Sequence, residues 1–279
     1  MLFRSIFDII TAATVNPVNH YRLETGLLRC GDSADFIVVD NLTDLNVLQT
    51  YVAGVKIGEN GRALFRYGGS APVNNFNCSM ISADDIRTTL GGRNIRVIEA
   101  FDGQLFTRCK RVKVAEDNSD GYDIDDDILK IVVKERYRDG KAATGFIKGF
   151  GIRRGAFASS VAHDSHNIVA VGTDDESICK AVNMIVAMKG GLSWCADGQA
   201  FALPLNIAGI MSSESVSDTA ARYKALTRAV TQAGSKLQSP FMTLSFMALL
   251  VIPELKIGDR GLFDVSLFKE VPLIVETEK

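Results

Sequence analysis

Leu192-Ser-Trp-Cys-Ala-Asp-Gly-Gln-Ala-Phe-Ala-Leu-Pro-Leu205 holds two strand-like runs on either side of Asp197-Gly198. Asp-Gly between apolar runs signals a hairpin, because a two-residue type I′ turn needs positive φ at both positions. Helical patterns bracket this hairpin. Before it, Thr173-Asp-Asp-Glu176 has the form of a capping box, Ile178, Val182, Ile185 and Val186 recur on one face, and Gly190-Gly191 stops the pattern. After it, a second helix is predicted from Ser215, with Asp218 three residues on, through Tyr223, Leu226 and Val230 to Gly234. Further strand-like runs lie at 96–100, 112–115, 129–133, 157–161 and 168–171. Strands and capped helices separated by hairpins predict an α+β layer rather than a doubly wound sheet. No short-period repeat is present.

Toward the N-terminus, Ile6, Phe7, Ile9, Ile10 and Ala13 recur at helical spacing, and Asn16-Pro17 stops that helix while starting a short second one. The apolar stripe calls for a partner. Phe36-Ile-Val-Val39 and residues 47–57 read as strands, with Asn60-Gly61 as a type I′ turn before Leu64-Phe65. Asn74 to Asn77 and Gly91-Gly92 flank a short helix that opens at Ser82-Ala-Asp-Asp85 and is expected to act as a connector.

A chain of 279 residues, 47% hydrophobic and 23% charged, can fold one large or two ordinary domains around a real core. Net charge is −2 with Lys and Arg dispersed, which argues against nucleic acid as a partner. Five cysteines (Cys30, Cys78, Cys109, Cys179, Cys195) are odd in number and form no C-x-x-C pair, which fits neither a disulfide framework nor a zinc knuckle and points to a reducing cytoplasm. Residues 241–252 form the longest apolar stretch, yet they include Thr243 and Ser245 and fall short of the roughly 20 residues of a membrane span, so they read as buried core. Asp8 interrupts the apolar run behind Arg4, and no signal-peptide cleavage pattern follows.

Ser159-Ser-Val-Ala-His-Asp-Ser-His-Asn167 is the densest polar cluster and holds two of the three histidines. Its hydroxyls, carboxylate, imidazoles and amide can recognise a flat, heteroatom-rimmed ring, and the same residue types also favour a hydrogen-bonded turn between strands. A catalytic zinc usually takes three protein ligands. His163, Asp164 and His166 are too close together on an extended strand to reach one ion, so no metal site is expected within this chain. His20, in the turn from Asn16 to Tyr21, reads as structural. Residues 116–127 loosely mimic a calcium loop, but Glu116 stands first, Asp127 last, and strands flank them, so a solvated acidic loop is expected. Gly149-Phe-Gly-Ile-Arg-Arg-Gly155 departs from a dinucleotide fingerprint by one residue and precedes no helix, so its glycines are expected to permit close strand packing. Arg108, Cys109, Lys110, Arg111 and Lys113 mark an exposed strand edge.

Two sets of strings carry a family resemblance. Thr11-Ala-Ala-Thr-Val-Asn-Pro-Val-Asn-His-Tyr21 and Gly31-Asp-Ser-Ala-Asp-Phe-Ile-Val-Val-Asp40 resemble the segment that closes the catalytic barrel of the amidohydrolase superfamily and opens its β-sandwich. Gly155-Ala-Phe-Ala-Ser-Ser-Val-Ala-His-Asp-Ser-His-Asn-Ile-Val-Ala-Val-Gly172, Leu203-Pro-Leu-Asn-Ile-Ala-Gly-Ile-Met211, Pro240-Phe-Met-Thr-Leu-Ser-Phe246 and Ile252-Pro-Glu-Leu-Lys256 resemble the C-terminal domain of bacterial adenine deaminases. The resemblance implies a barrel-helix remnant at 1–24, a β-sandwich segment at 25–70, a connector at 71–94 and an α+β C-terminal domain at 95–279.

It further implies hydrolysis of adenine to hypoxanthine and ammonia in purine salvage. In that family a divalent metal (manganese, iron or zinc) lowers the pKa of bound water toward about 7, and a carboxylate shuttles the proton. Those ligands belong to an N-terminal barrel that is missing here, and the barrel's usual His-x-His pair occurs nowhere in the sequence. The chain alone is therefore expected to bind no metal tightly and to be inactive, while the full-length enzyme is expected to be a cytoplasmic homo-oligomer. The loop carrying Ser159, Ser160, His163, Asp164, Ser165, His166 and Asn167 is expected to fold over the barrel mouth as a substrate-pocket loop. Leu2-Phe3-Arg4-Ser5 matches one reading frame of a sequencing-library adaptor, which fits a truncated chain. Two alternatives stay open: a non-catalytic purine-binding or assembly module that works with a separately encoded barrel, and a sibling amidohydrolase acting on another amine-bearing heterocycle.

Overall fold

Ser5 and Asp8 close a reciprocal cap: the Ser5 amide donates to the Asp8 carboxylate at 3.0 Å, and the Asp8 amide donates to the Ser5 hydroxyl at 3.3 Å. This cap opens the first helix in the computed structural model, which describes residues 5–66 and 73–276. The chain divides into two units, 1–68 and 69–279. The adaptor-like residues Leu2, Phe3 and Arg4 lie outside the described residues.

The first unit holds α1 (Ile6–Ala13), α2 (Val15–Tyr21), β1 (Phe36–Val39), β2 (Val47–Val52), β3 (Val55–Glu59) and β4 (Arg62–Ala63). The four strands form one antiparallel sheet in chain order. Asn60 (φ 48°) and Gly61 (φ 75°) make the expected primed turn between β3 and β4. None of the described residues of this unit is buried, and Phe7, in the apolar stripe of α1, is 67% exposed. The stripe and the sheet thus supply no fully buried side chain among the described residues of this unit.

The second unit contains α3 (Ala83–Ile86), β5 (Asn94–Ala100), β6 (Thr107–Lys113), β7 (Leu129–Lys134), β8 (Ala143–Lys148), β9 (Ala156–Ser159), β10 (Ile168–Gly172), α4 (Asp175–Met188), β11 (Gly191–Ala196) and β12 (Gln199–Pro204). It continues with α5 (Val216–Gln232), α6 (Pro240–Phe246), β13 (Leu255–Gly258), β14 (Gly261–Asp264), β15 (Lys269–Glu270) and β16 (Ile274–Val275). A nine-stranded sheet runs β12-β11-β9-β10-β7-β8-β5, with β6 and β16 both paired to β5. All of its pairings are antiparallel except β5 with β8. The mixture of helix with several sheets is the α+β class.

Side-chain alternation sorts the two faces of this sheet. Phe157, Val169, Val171, Ile131 and Val133 point to one face, where Leu226 and Val230 of α5 and Phe241 and Leu244 of α6 cover them. Ala156, Ala158, Ala170 and Val132 point to the other, beneath Ile178, Val182 and Ile185 of α4. The predicted hairpin forms between β11 and β12, with Asp197 (φ 49°) and Gly198 (φ 77°) at its turn. Residues 241–249 contribute Phe241, Leu244, Met247, Ala248 and Leu249 to the core, and no described helix is long and apolar enough to cross a membrane. All five cysteines are free thiols.

Several local expectations are corrected. The N-cap of α4 is Asp174, whose carboxylate accepts the Ser177 amide at 2.7 Å, because the Thr173 hydroxyl is engaged by the Gly155 carbonyl at 3.2 Å. The strand read at 112–115 starts earlier, at Thr107, whose side chain is buried against the Leu255 carbonyl. Within the segment read as a connector, Phe76, Ile81, Ile86 and Leu90 are buried side chains of the second unit. Asp127 is not a loosely solvated acid: its carboxylate accepts the amides of Gly149 and Gly151 at 2.7 and 2.8 Å. Gly149 (φ +102°) needs the absence of a side chain, since a Cβ there would collide with the Ala100 carbonyl oxygen.

The contrast in burial predicts unequal stability. Phe157→Ala, at a fully buried ring packed against Phe150 and Phe241, should cost about 3–5 kcal/mol in denaturant melts. Phe7→Ala should stay within about 0.5 kcal/mol, and limited proteolysis should cut the first unit before the second. Equal protection of both units would refute this.

Candidate functional site

The polar turn joins β9 to β10 and is fixed from beneath. Ser160 is fully buried; its hydroxyl donates to the Gly209 carbonyl at 2.6 Å and accepts the Gly191 amide at 2.8 Å, while its own amide donates to the Gly191 carbonyl at 3.0 Å. One serine therefore ties β9 to the start of β11 and to the 207–211 loop. The Ser159 hydroxyl accepts the Val161 amide at 2.9 Å and donates to the Val161 carbonyl at 3.1 Å. These two serines, expected in a substrate pocket, spend their hydroxyls on backbone partners and act as structure beneath the turn.

Above them, Ala162 is buried and the chain turns outward. The His163 amide donates to the Ser245 carbonyl at 3.0 Å, and its ring lies 4.7 Å from the Phe246 ring at 30°, so the C-terminal end of α6 braces it. His166 adopts φ 52°, donates its amide to the Ala162 carbonyl at 2.6 Å and sets its ring 5.9 Å from that of His163. Asp164 and Ser165 form the exposed tip, and Asn167 returns into the core at 3% exposure. The structure thus gathers His163, Asp164, Ser165, His166 and Asn167 in one projection.

Two residues that pattern reading missed complete its base. Arg136, 4% exposed, donates through Nη1 to the Ala208 carbonyl at 2.8 Å and through Nη2 to the Tyr137 hydroxyl at 3.0 Å. Tyr137 in turn donates to the Ser165 carbonyl at 2.8 Å. The guanidinium lies 4.7 Å from the Tyr137 ring and 5.8 Å from the Phe76 ring, and these π faces favour a cation held out of water. Gly209 adopts φ +71°, which favours glycine, and a Cβ there would press on the Arg136 Nη1. No spacing motif announces this group; its members meet only through the fold.

Electrostatics and satisfaction single out His166. Burial first, then the nearby His163 and Arg136, hold its imidazole below the ordinary histidine range, with Asp164 opposing them. His166 Nδ1 and Asn167 Oδ1 are buried and have no partner among the described residues. Each such orphan costs about 1–3 kcal/mol unless a polar group arrives. A divalent metal does not fit: among the described residues no three His, Cys, Asp or Glu side chains converge, and two imidazoles with an exposed carboxylate fall short of a catalytic set. No described hydroxyl or thiol hydrogen-bonds to either imidazole, so the turn holds no activated nucleophile. What it offers is a set of neutral and anionic acceptors and donors at one projecting edge.

Comparison with known proteins gives this geometry a context. A family model described as the adenine deaminase C-terminal domain matches residues 104–269, which include the whole turn and its Arg136, Tyr137 and α6 supports. A protein of Salinibacter ruber named adenine deaminase is 48% identical over 275 residues, covering 97% of this chain and 50% of its own length. One of Methanosarcina mazei with the same name is 45% identical over 284 residues, covering 97% of this chain and 51% of its own. A third, from Borreliella burgdorferi, is 42% identical over 267 residues, with 94% and 48% covered. The chain spans about half the length of these curated relatives. With the family model matching more than half of its residues, the chain belongs to the adenine deaminase C-terminal domain family.

Proposed function

We propose that this chain is the C-terminal part of a metal-dependent adenine deaminase, a cytoplasmic hydrolase that converts adenine and water to hypoxanthine and ammonia in purine salvage. The relatives' shared name and their doubled length support the reading. The single structural observation that carries it is the projecting turn, clamped at Ser160 and Tyr137 yet orphaned at His166 Nδ1 and Asn167 Oδ1. In this reading the turn closes over the mouth of a catalytic barrel, where Asp164 and His166 meet the polar edge of the purine and His163, Ser165 and Asn167 shape it.

The divalent metal (manganese, iron or zinc) belongs to that barrel, which is not part of this chain, and would supply activated water there. The exposed Phe7 ring in the first unit supports the same partner. Phe7 and its neighbours in α1 would each gain roughly 1.5–3 kcal/mol on full burial. Five free thiols support a reducing compartment. A homo-oligomer is the proposed state of the full-length enzyme.

Three outcomes test the proposal. The purified chain, given manganese, iron or zinc, should release no ammonia from adenine; turnover by a contaminant-free sample would overturn the assignment of the metal to another part of the enzyme. In a full-length parent, Asp164→Ala and His166→Ala should each lower kcat/KM by more than about tenfold without loss of melting temperature. Ser160→Ala should do the reverse, costing about 1–3 kcal/mol of stability with turnover per folded enzyme retained.

The depressed pKa of His166 sets the third outcome. The unfolded chain takes up a proton at this position before the folded chain does, so the stabilising contribution is complete above the unfolded pKa of about 6.5 and falls as pH drops through and below it. Melts between pH 7.5 and 5 should therefore show a steeper acid loss in the native chain than in His166→Gln. Parallel curves would refute a neutral His166.

A further inference from the structure

The cations of β6 divide by face. Cross-strand partners in the β5–β6 ladder share a face, and Glu99 stands opposite Arg108. Lys110, on that same face, pairs with Glu99 at 2.7 Å, and Arg108 lies 5.3 Å from the Phe101 ring. Those charges are answered within the sheet. On the opposite face Arg96 stands directly across from Arg111, and Asn94 across from Lys113. Like charges placed opposite one another destabilise a ladder.

The rest of that face shows why the mismatch is local. Further along it, Ile98 faces Cys109 and Ala100 faces Thr107, and these run under the core. Where the apolar pairs end, the ladder opens into a cleft of about 1100 Å³ lined by Arg93, Asn94, Arg96, Arg111 and Glu276, with the β16 segment as its far wall. β16 and β8 share the edge of β5 away from β6, β8 at Val97–Glu99 and β16 at Asn94–Ile95, so the cleft lies where the sheet changes partner. Arg96 donates Nη1 to the Pro272 carbonyl at 2.7 Å, which holds its guanidinium against this wall. Among the described residues no ion pair involves Arg93, Arg96, Arg111 or Lys113. Among the described lining residues, Glu276 supplies the one carboxylate.

We propose that this cleft binds a phosphate-bearing small molecule, with the opposed guanidiniums of Arg96 and Arg111 as its anion clamp and Arg93 as a third donor. Arginine forks match phosphate oxygens bidentately, and an anion between Arg96 and Arg111 converts their repulsion into attraction. The cleft exceeds the size of a bare phosphate and suits a ligand of nucleotide size. A polymer is disfavoured, since the net charge is −2 and Lys110 on the adjoining face is already matched. The site is independent of the purine-edge role assigned to the turn at His163 and His166.

The test uses the whole purified chain with inorganic pyrophosphate as probe and sodium chloride at matched ionic strength as control, read by calorimetry and thermal melts. Pyrophosphate should bind and raise the melting temperature where chloride does not. The double variant Arg96→Gln with Arg111→Gln should weaken binding by more than about tenfold, while Arg108→Gln stays within about twofold. Should the double variant fail to fold, Arg93→Gln, at an exposed position, should still weaken binding by about threefold or more. Equal response to chloride, unchanged binding in the clamp variants, or displacement of pyrophosphate by a short single-stranded oligonucleotide at lower concentration would each overturn the proposal.

Discussion

The second unit depends on a size difference between the two faces of β9 and β10. Ala156, Ala158 and Ala170 on one face let α4 approach closely, and Phe157, Val169 and Val171 on the other fill the thicker layer under α5 and α6. Exchanging the faces by a one-residue slip would drive the Phe157 ring into α4 and leave a void under α6, so the register of this hairpin is fixed by volume. Everything the turn presents follows from that register. Ser159 and Ser160 fall inside, and His163 to His166 fall outside, because the strand enters the turn at that phase.

The same strand environment sets limits on charge. β7 is buried along its whole length, yet Lys130 and Lys134 lie on it. They share the α4 face, where Lys130 reaches Asp175 and the Ile86 carbonyl, and Lys134 reaches Asp139 and the Gly140 carbonyl. Among the described residues Lys256 has no carboxylate partner: it donates to the carbonyls of Leu105 at 2.7 Å and Phe246 at 3.1 Å, and burial pushes its pKa down to about 8. That bond fixes the residue whose ring supports His163, so the outer face of the turn is anchored through α6 to a lysine in the core.

Features written in local chemistry were legible in the sequence: the Asp197-Gly198 hairpin, the spans of α4 and α5 from caps and periodicity, the primed turn at Asn60-Gly61, and the exposed edge at β6. Features written in long-range partnership were not. β8 carries a glycine at its centre, Gly145, and β13 to β16 are two to four residues long, below the reach of a period-two pattern. At the candidate site the sequence marked the polar turn as a unit but could not divide it, because Ser160 and Ser165 are chemically alike and only depth separates them. Arg136 and Tyr137 were silent for the same reason, since their partners Ala208 and Ser165 lie 72 and 28 residues away.

Trp194 is the sole tryptophan of the chain, 4% exposed on β11 and 5.7 Å from the Phe201 ring. Its indole sits on the strand whose first residue, Gly191, is held by Ser160. Intrinsic fluorescence excited at the indole is therefore an optical probe of one unit alone. A spectroscopist following its emission would watch the β9–β11 clasp loosen and would see nothing of the first unit, whose aromatic side chains include phenylalanine and tyrosine but no indole.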